Sequence, residues 1–289
     1  MQALLVIAVI ALALMAAWFY PRWRLRRELA RPMPAGRLAI LERNLPVYRR
    51  MPAGLQEQLR RLVTQFLHQK KFVPCGGLEE VTEEMRVTIA AQACLLLLNR
   101  PSRVYPLLDT VLLYPSAFLV PRNRPDEAGV VTETREDLLG ESWSDGRVIL
   151  SWDHVLRGAS DWTDGHNVVL HEFAHQLDSE SGSNNGAPYL GHPSSYRSWS
   201  EVLARDFDAL RRDAYFSQQS VLDHYGATSP AEFFAVATET FFEKPWQLAE
   251  RHADLYAEFL KYYRVDPREW VAAPPREAPS YEFAYGQWQ

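Results

Sequence analysis

The sequence predicts an α+β fold in which helices surround a small mixed sheet. Five segments carry the helical spacing of apolar residues, and two short segments near the middle are rich in β-branched residues instead. A third observation is an uncharged apolar stretch at the N-terminus, long enough for one membrane-spanning helix. The helical segments are 55–68, 82–98, 200–215, 230–243 and 251–264, and the strand candidates are 110–114 and 147–152.

The composition is that of a globular protein. Of the 289 residues, 47% are hydrophobic and 23% are charged, which suits one large folded domain. The net charge of −5 gives no reason to expect a nucleic-acid partner. Cys75 and Cys94 are too few for a disulfide framework, so a reducing compartment fits the chain.

The N-terminal stretch from Ala3 to Tyr20 is uncharged and almost wholly apolar. As a helix its 18 residues span roughly 27 Å, close to the thickness of a bilayer core. Five arginines follow within eleven residues, which predicts that the body of the protein is cytoplasmic. We therefore expect a transmembrane anchor at 1–22 in the inner membrane, followed by a basic linker at 23–38.

A cleaved signal peptide is the alternative interpretation of this stretch. No basic residue precedes the apolar run, whereas a secretory signal begins with a positively charged segment. Ala11 and Ala13 are followed by further apolar residues, which makes a poor cleavage site. Both observations favour the anchor.

The folded body is expected to span residues 39–271. Within it, segment 82–98 is nearly all apolar and is expected to form a central core helix. The residues between the two strand candidates, 121–136, are polar and contain prolines, so a loop or an excursion is expected there. Prolines and low periodicity predict an irregular tail over 272–289.

One motif carries chemistry: His171-Glu172-Phe173-Ala174-His175, or His-Glu-x-x-His. Residues four apart share one face of a helix, so His171 and His175 can direct two imidazoles at one metal ion. Glu172 lies beside that pair, where it can take a proton from a metal-bound water. The apolar flanks predict a largely buried helix, and Asp164 is a candidate N-cap.

The simpler reading of the motif is a buried helix with two hydrogen-bonded histidines and a surface glutamate. His-Glu-x-x-His arises by chance in roughly one or two of every hundred chains of this length and composition. The helical, apolar context favours a zinc hydrolase.

A hydrolytic zinc site needs a third protein ligand. Asp178 lies one turn beyond the histidines and suits a hydrogen bond to an imidazole N–H better than a metal. Glu232 and Glu239 lie seven residues apart on one apolar helix that begins after Ser229-Pro230, and composition alone does not separate them. The candidates are Asp178, His192, His224, Glu232, Glu239 and Glu243.

Across most of residues 40–270 the chain resembles the Mlc titration factor A family of zinc metallopeptidases. The active-site half also resembles the catalytic domain of anthrax lethal factor, in which a Tyr-Gly precedes the ligand glutamate of Glu-Phe-Phe-Ala by seven residues. Tyr225-Gly226 and Glu232-Phe233-Phe234-Ala235 reproduce that spacing. The segments that carry the family resemblance are 77–79, 82–86, 89–98, 140–144, 150–152, 171–178 and 230–236.

The resemblance implies a zincin-like α+β metallopeptidase fold and one zinc ion held by His171, His175 and Glu232. It implies Glu172 as general base and Tyr225 as a donor to the transition state. The position of Glu232 in the first helical turn, at the positive end of the helix dipole, agrees with this choice. Glu239 is then expected to form a hydrogen bond behind the ligands or a structural ion pair.

The leading functional hypothesis is a zinc peptidase that acts on a peptide or protein substrate. The strand at 147–152 could then pair with substrate backbone as an edge strand. The alternative is a membrane-anchored regulatory protein that sequesters a partner, such as the transcriptional repressor that the family name implies. Glu172 argues for catalysis, because a structural zinc site needs no base.

Overall fold

A computed structural model of the chain describes residues 2–101, 103–116, 118–125, 131–138, 140–143 and 146–275. The helices within these ranges are α1 Gln2–Leu29, α2 Ala35–Asn44, α3 Ala53–Gln69, α4 Glu83–Leu95, α5 Trp152–Ser160, α6 Val168–Ser179, α7 Ser195–Tyr215, α8 Pro230–Glu243, α9 Pro245–Arg251 and α10 Ala253–Tyr263. The strands are β1 Lys71–Pro74, β2 Thr110–Tyr114, β3 Phe118–Pro125, β4 Val131–Leu138, β5 Gly140–Trp143 and β6 Arg147–Ser151.

The main sheet has the strand order β1-β2-β6-β5. β1, β2 and β6 are parallel, and β5 runs antiparallel to β6 at the outer edge. The predicted small mixed sheet is therefore confirmed. The expectation that β6 is an edge strand is wrong, because β2 and β5 occupy both of its sides.

The segment 121–136 is also not a simple loop. β3 and β4 form an antiparallel hairpin in which Phe118 pairs with Leu138 and Pro125 with Val131. β-branched residues such as Val131, Thr132 and Thr134 favour extended backbone. The two prolines fit this two-stranded hairpin, where an N–H can be missing without breaking a central ladder. Residues 126–130 lie outside the described part of the chain.

The N-terminal region is more helical than predicted. α1 continues to Leu29 with Pro21 inside it, and α2 begins at Ala35, so the expected linker at 23–38 is mostly helix. Within the part of the chain that the structure describes, no helix is both long and apolar enough to cross a membrane. The structure thus does not support the predicted anchor at 1–22. Some apolar side chains of that segment lie outside the described part of the chain.

The core surrounds two helices that carry no exposed face. α4 is buried from Val87 to Leu95, as predicted for the central helix, and it packs against α3, α5 and α6. Phe173 of α6 lies against Phe66 and Tyr105, with ring centroids 5.7 and 4.7 Å away. α8 is buried from Phe233 to Glu243 and contacts α6 along its length. The chemistry-bearing helices are thereby held rigidly side by side.

Candidate metal centre

The start of α6 is set by Asn167. Its side-chain oxygen accepts hydrogen bonds from the backbone N–H groups of Val169 and Leu170, at 3.1 and 3.0 Å. The predicted cap, Asp164, is wrong: its carboxylate instead accepts from the N–H of His166 in the preceding turn. Asn167 has this role because it directly precedes the first helical residue, where an amide oxygen reaches the free N–H groups.

α8 supplies the third side chain of the centre. Ser229 caps this helix by accepting from the backbone N–H of Glu232, and Pro230 occupies its first turn, as the sequence predicted. Glu232 therefore lies at the positive end of the helix, and its side chain points towards α6. Pro245 follows the C-cap of α8 and begins α9.

Three ligand atoms converge between the two helices. Oε2 of Glu232 lies 2.9 Å from Nε2 of His171 and 3.4 Å from Nε2 of His175. All three atoms lie within 4.8 Å of one another. A tetrahedral zinc ion with ligands at about 2.1 Å requires ligand atoms about 3.4 Å apart. The distance from Glu232 to His175 matches this value, and the shorter hydrogen bond from His171 to Glu232 would have to lengthen when a metal ion replaces its proton.

The far side of the His171 ring is fixed by Glu239. Nδ1 of His171 donates to Oε1 of Glu239 at 2.8 Å, and Oε2 of the same carboxylate accepts from the backbone N–H of Asn167. A proton held on Nδ1 leaves the lone pair of Nε2 directed at the centre. Glu239 is thus behind the ligands, as expected, and it connects the start of α6 to α8.

The protonation of the centre follows from this arrangement. Burial alone would lower the pKa of His171, but the carboxylates of Glu239 and Glu232 outweigh it and raise that pKa well above its usual value. Burial would likewise raise the pKa of Glu232, but hydrogen bonds with His171 and His175 hold it far below its usual value. The pair is an ion pair whose proton occupies the place suited to a metal ion.

Glu172 is a buried carboxyl group with an incomplete set of partners. Its side chain is 4% exposed, and Oε2 has no hydrogen-bond partner in the described part of the chain. Burial raises its pKa to about 6, although the nearby His171 and His175 act in the opposite direction. The simpler alternative, in which Glu172 is a surface glutamate, is therefore wrong, and the group is suited to proton transfer near neutral pH.

Tyr225 lies at the rim of the centre. It belongs to a short 3₁₀ turn, His224–Ala227, and its ring centroid is 5.9 Å from that of His171. The carboxylate of Asp223 accepts from the backbone N–H of Tyr225 at 2.7 Å and so fixes the turn. The side chain is 55% exposed, which leaves it accessible to a bound molecule.

The other candidate ligands lie elsewhere. Asp178 makes no hydrogen bond to an imidazole within the described chain; it accepts from the backbone N–H of Gly186 at 2.6 Å and holds the loop after α6. His192 is paired with Ser194. His224 and Glu243 are likewise outside the three-residue cluster found among the described residues.

Sequence reasoning missed the polar cluster that supports the centre. Glu243 is almost completely buried and accepts from the Asn167 side chain at 3.0 Å and from the N–H of Gly165 at 3.1 Å. Burial raises the pKa of Glu243 well above its usual value, and the charge of Glu239 adds to this effect. The available signal was the spacing of Glu232, Glu239 and Glu243 on one otherwise apolar helix.

The mixed fold, the His-Glu-x-x-His helix and the His-His-Glu cluster define a metallopeptidase-like protein. The sequence profile of the glucose-regulated metallopeptidase family M90 matches residues 20–264. The chain belongs to this family.

Two groups of relatives agree with this assignment. An uncharacterized protein from Synechocystis is 42% identical over 254 residues, which cover 86% of this chain and 92% of the relative. Mlc titration factor A from Yersinia pestis is 32% identical over 230 residues, or 78% of this chain and 83% of the relative. The protein of that name from Yersinia pseudotuberculosis matches equally well. The predicted family is therefore confirmed.

Proposed function

We propose that the chain is a zinc-dependent peptidase with a zincin-like fold. The observation that carries this proposal is the convergence of the ligand atoms of His171, His175 and Glu232 beside the buried carboxyl group of Glu172. A structural site would have no use for a buried, incompletely paired acid next to three ligands. Membership of a metallopeptidase family supports the same activity.

Zinc suits the centre better than a harder cation. Two imidazole nitrogens and a single carboxylate oxygen are typical of catalytic zinc sites, whereas calcium and magnesium prefer oxygen ligands alone. A zinc ion bound there would act as a Lewis acid towards water and a substrate carbonyl. His171 and His175 would hold it from α6, Glu232 from α8, and the remaining position would be open to the substrate.

Two residues around the centre supply proton transfer and a hydrogen bond to the transition state. Glu172 takes a proton from the attacking water and passes it to the leaving amine, a role that suits a carboxyl group with a pKa of about 6. The hydroxyl of Tyr225 donates a hydrogen bond to the oxygen that becomes negative in the transition state. Asp223 keeps the Tyr225 turn in place.

A regulatory role is compatible with this chemistry. The name Mlc titration factor A implies that those relatives bind the protein Mlc. By analogy, a transcriptional repressor is a candidate partner or substrate of this chain. Among the residues that the structure describes, no contact favours sequestration over hydrolysis, so the peptidase remains the leading proposal. We also propose, from the arginines after residue 20, an inner-membrane location with the catalytic domain in the cytoplasm.

Metal analysis of purified protein tests the site. We expect about one zinc per chain and peptide hydrolysis that is lost with a chelator and restored with zinc. Glu232→Ala should lose most of the metal. Glu258→Ala, which removes a buried glutamate paired with Lys261 on α10, is the matched control and should retain it. Full zinc occupancy in Glu232→Ala would contradict the assignment.

A further inference from the structure

Charge is strongly segregated along this chain. Residues 22–61 contain eleven arginines and three glutamates, a net charge of +8, while residues 1–21 carry no charged side chain. The rest of the chain therefore carries −13. Because the metal centre belongs to the acidic part, the peptidase chemistry does not account for the basic region.

The basic region contains a cavity of about 240 Å³. It lies where the end of α1 and the following segment meet α2 and α3, and it contains three arginines, Arg31, Arg60 and Arg61. The rest of the lining is apolar except for Thr64 and the carboxylate of Glu57, and its apolar members are Leu29, Pro32, Met33 and Leu38. Its volume holds roughly eight water-sized groups, the scale of a phosphate with a short alcohol.

The three arginines are not equally engaged. Arg60 is bound to Glu57 at 2.6 Å and to the hydroxyl of Tyr48 at 2.6 Å. Arg31 lies 3.9 Å from Glu28, a weak and exposed pair. The guanidinium group of Arg61 is exposed and has no ion pair within the described part of the chain. Two cations at this cavity are thus available to an anionic ligand.

The part of α1 that precedes the cavity suits lipid rather than a soluble anion. Leu5, Ile7, Leu12, Trp18 and Phe19 are each 60–69% exposed, although large apolar side chains are normally buried. Further along the helix, arginines lie over aromatic rings, with Arg22 3.9 Å from the centroid of Trp18 and Arg27 5.5 Å from that of Trp23. Exposed apolar residues followed by aromatic–arginine pairs are typical of a helix at a lipid headgroup layer.

We propose that this cavity binds the headgroup of an anionic phospholipid, and that Arg31 and Arg61 hold its phosphate. The apolar walls contact the glycerol part, and the side of α3 that carries the exposed Arg61 lies against the membrane. This inference rests on the proposed membrane location but not on peptidase activity. Charge complementarity with an anionic bilayer distinguishes the site from a general apolar surface.

The test uses the full chain in micelles of a neutral detergent. Short-chain phosphatidylglycerol is titrated while the thermal midpoint of unfolding is measured, and phosphatidylcholine of the same chain length is the lipid control. Arg31→Gln/Arg61→Gln should weaken the response to phosphatidylglycerol about 30-fold, since each arginine near an anionic surface contributes a few-fold or more. Arg211→Gln/Arg212→Gln removes the same charge from exposed residues of α7 and should have no effect.

Several outcomes would overturn the proposal. These are an equal response to both lipids, equal weakening in both double variants, or the same stabilisation by inorganic phosphate alone. Binding of a short DNA duplex without a response to phosphatidylglycerol would assign the basic region to nucleic acid instead. Zinc content and peptide hydrolysis, measured on the same samples, show whether the peptidase proposal fails separately.

Discussion

Glu239 accepts the Nδ1 proton of His171 at 2.8 Å, on the side of the ring opposite Glu232. One imidazole therefore lies between two carboxylates, and both of these come from α8. Because Glu239 holds the proton on Nδ1, the ring is oriented so that Nε2 can bind a metal ion.

This arrangement predicts that Glu239→Gln weakens zinc binding about 10- to 100-fold. The carboxylate of Glu239 accepts from both His171 and Asn167, whereas a glutamine has one acceptor oxygen and must present an NH₂ group to the other donor. Competition with a chromophoric chelator measures the affinity. Glu258→Gln, a buried change on α10, is the control; equal zinc affinity in both variants would contradict the prediction.

Metal binding should release about one proton near neutral pH. The pKa of His171 is higher in the folded protein than the value of about 6.5 expected in the unfolded chain. The metal-free ion pair therefore stabilises the fold fully below pH of about 6.5, and this stabilisation is lost as pH rises through the folded pKa. At acidic pH the same ion pair depends on Glu232, whose pKa is lowered in the folded protein. Its contribution to stability is lost as pH falls through the folded pKa of Glu232.

The apparent zinc affinity should accordingly rise with pH across the neutral range. Calorimetric titration in two buffers with different ionisation enthalpies measures the proton release. A binding heat that does not change with the buffer would show that His171 is already neutral in the metal-free protein.

Tyr225→Phe should keep zinc and stability but lose catalytic rate by about 100- to 1,000-fold. The ring is exposed and keeps its position against His171 without the hydroxyl, so the loss should fall on kcat more than on KM. Tyr215→Phe, which removes a hydroxyl from the exposed end of α7, should behave as wild type. A large change in KM with unchanged kcat would assign Tyr225 to substrate binding alone.

Localisation is predicted from the sequence and can be tested directly. The protein should fractionate with membranes, and a reporter fused to its C-terminus should report the cytoplasm, because arginines follow the apolar stretch. A mature chain that begins near Ala17 and is found in the periplasm would contradict this prediction and favour a signal peptide.

The local signals of the site were predictable because they are short-range. Ser229-Pro230 marks the start of α8, and four-residue spacing places His171 and His175 on one face of α6. The choice of helix cap failed because Asp164 and Asn167 are both common caps and the sequence did not show which residue the helix begins after. The side chain of Asn167 is also held by Glu243, a contact 76 residues away that no local pattern reveals.

Several elements of the fold were missed for related reasons. β1 has four residues that are mostly exposed, so no apolar run marks it. β6 was expected at an edge because a strand of five residues does not reveal its neighbours, and its four buried residues reflect pairing on both sides. α9 is a seven-residue helix that begins at Pro245 directly after α8, and it is too short to show a helical spacing of apolar residues.

The central claim, that Glu172 is the general base of a zinc peptidase, is tested most directly by Glu172→Gln. Glutamine fits the same buried space but cannot take a proton, and residue 172 is not among the three ligands. Zinc content and peptide turnover should be measured together, with Glu180→Gln, the residue directly after α6, as the control. We predict full zinc occupancy and at least a 100-fold loss of turnover, roughly the lower limit for a lost general base. Full turnover in Glu172→Gln at wild-type zinc content would contradict the account.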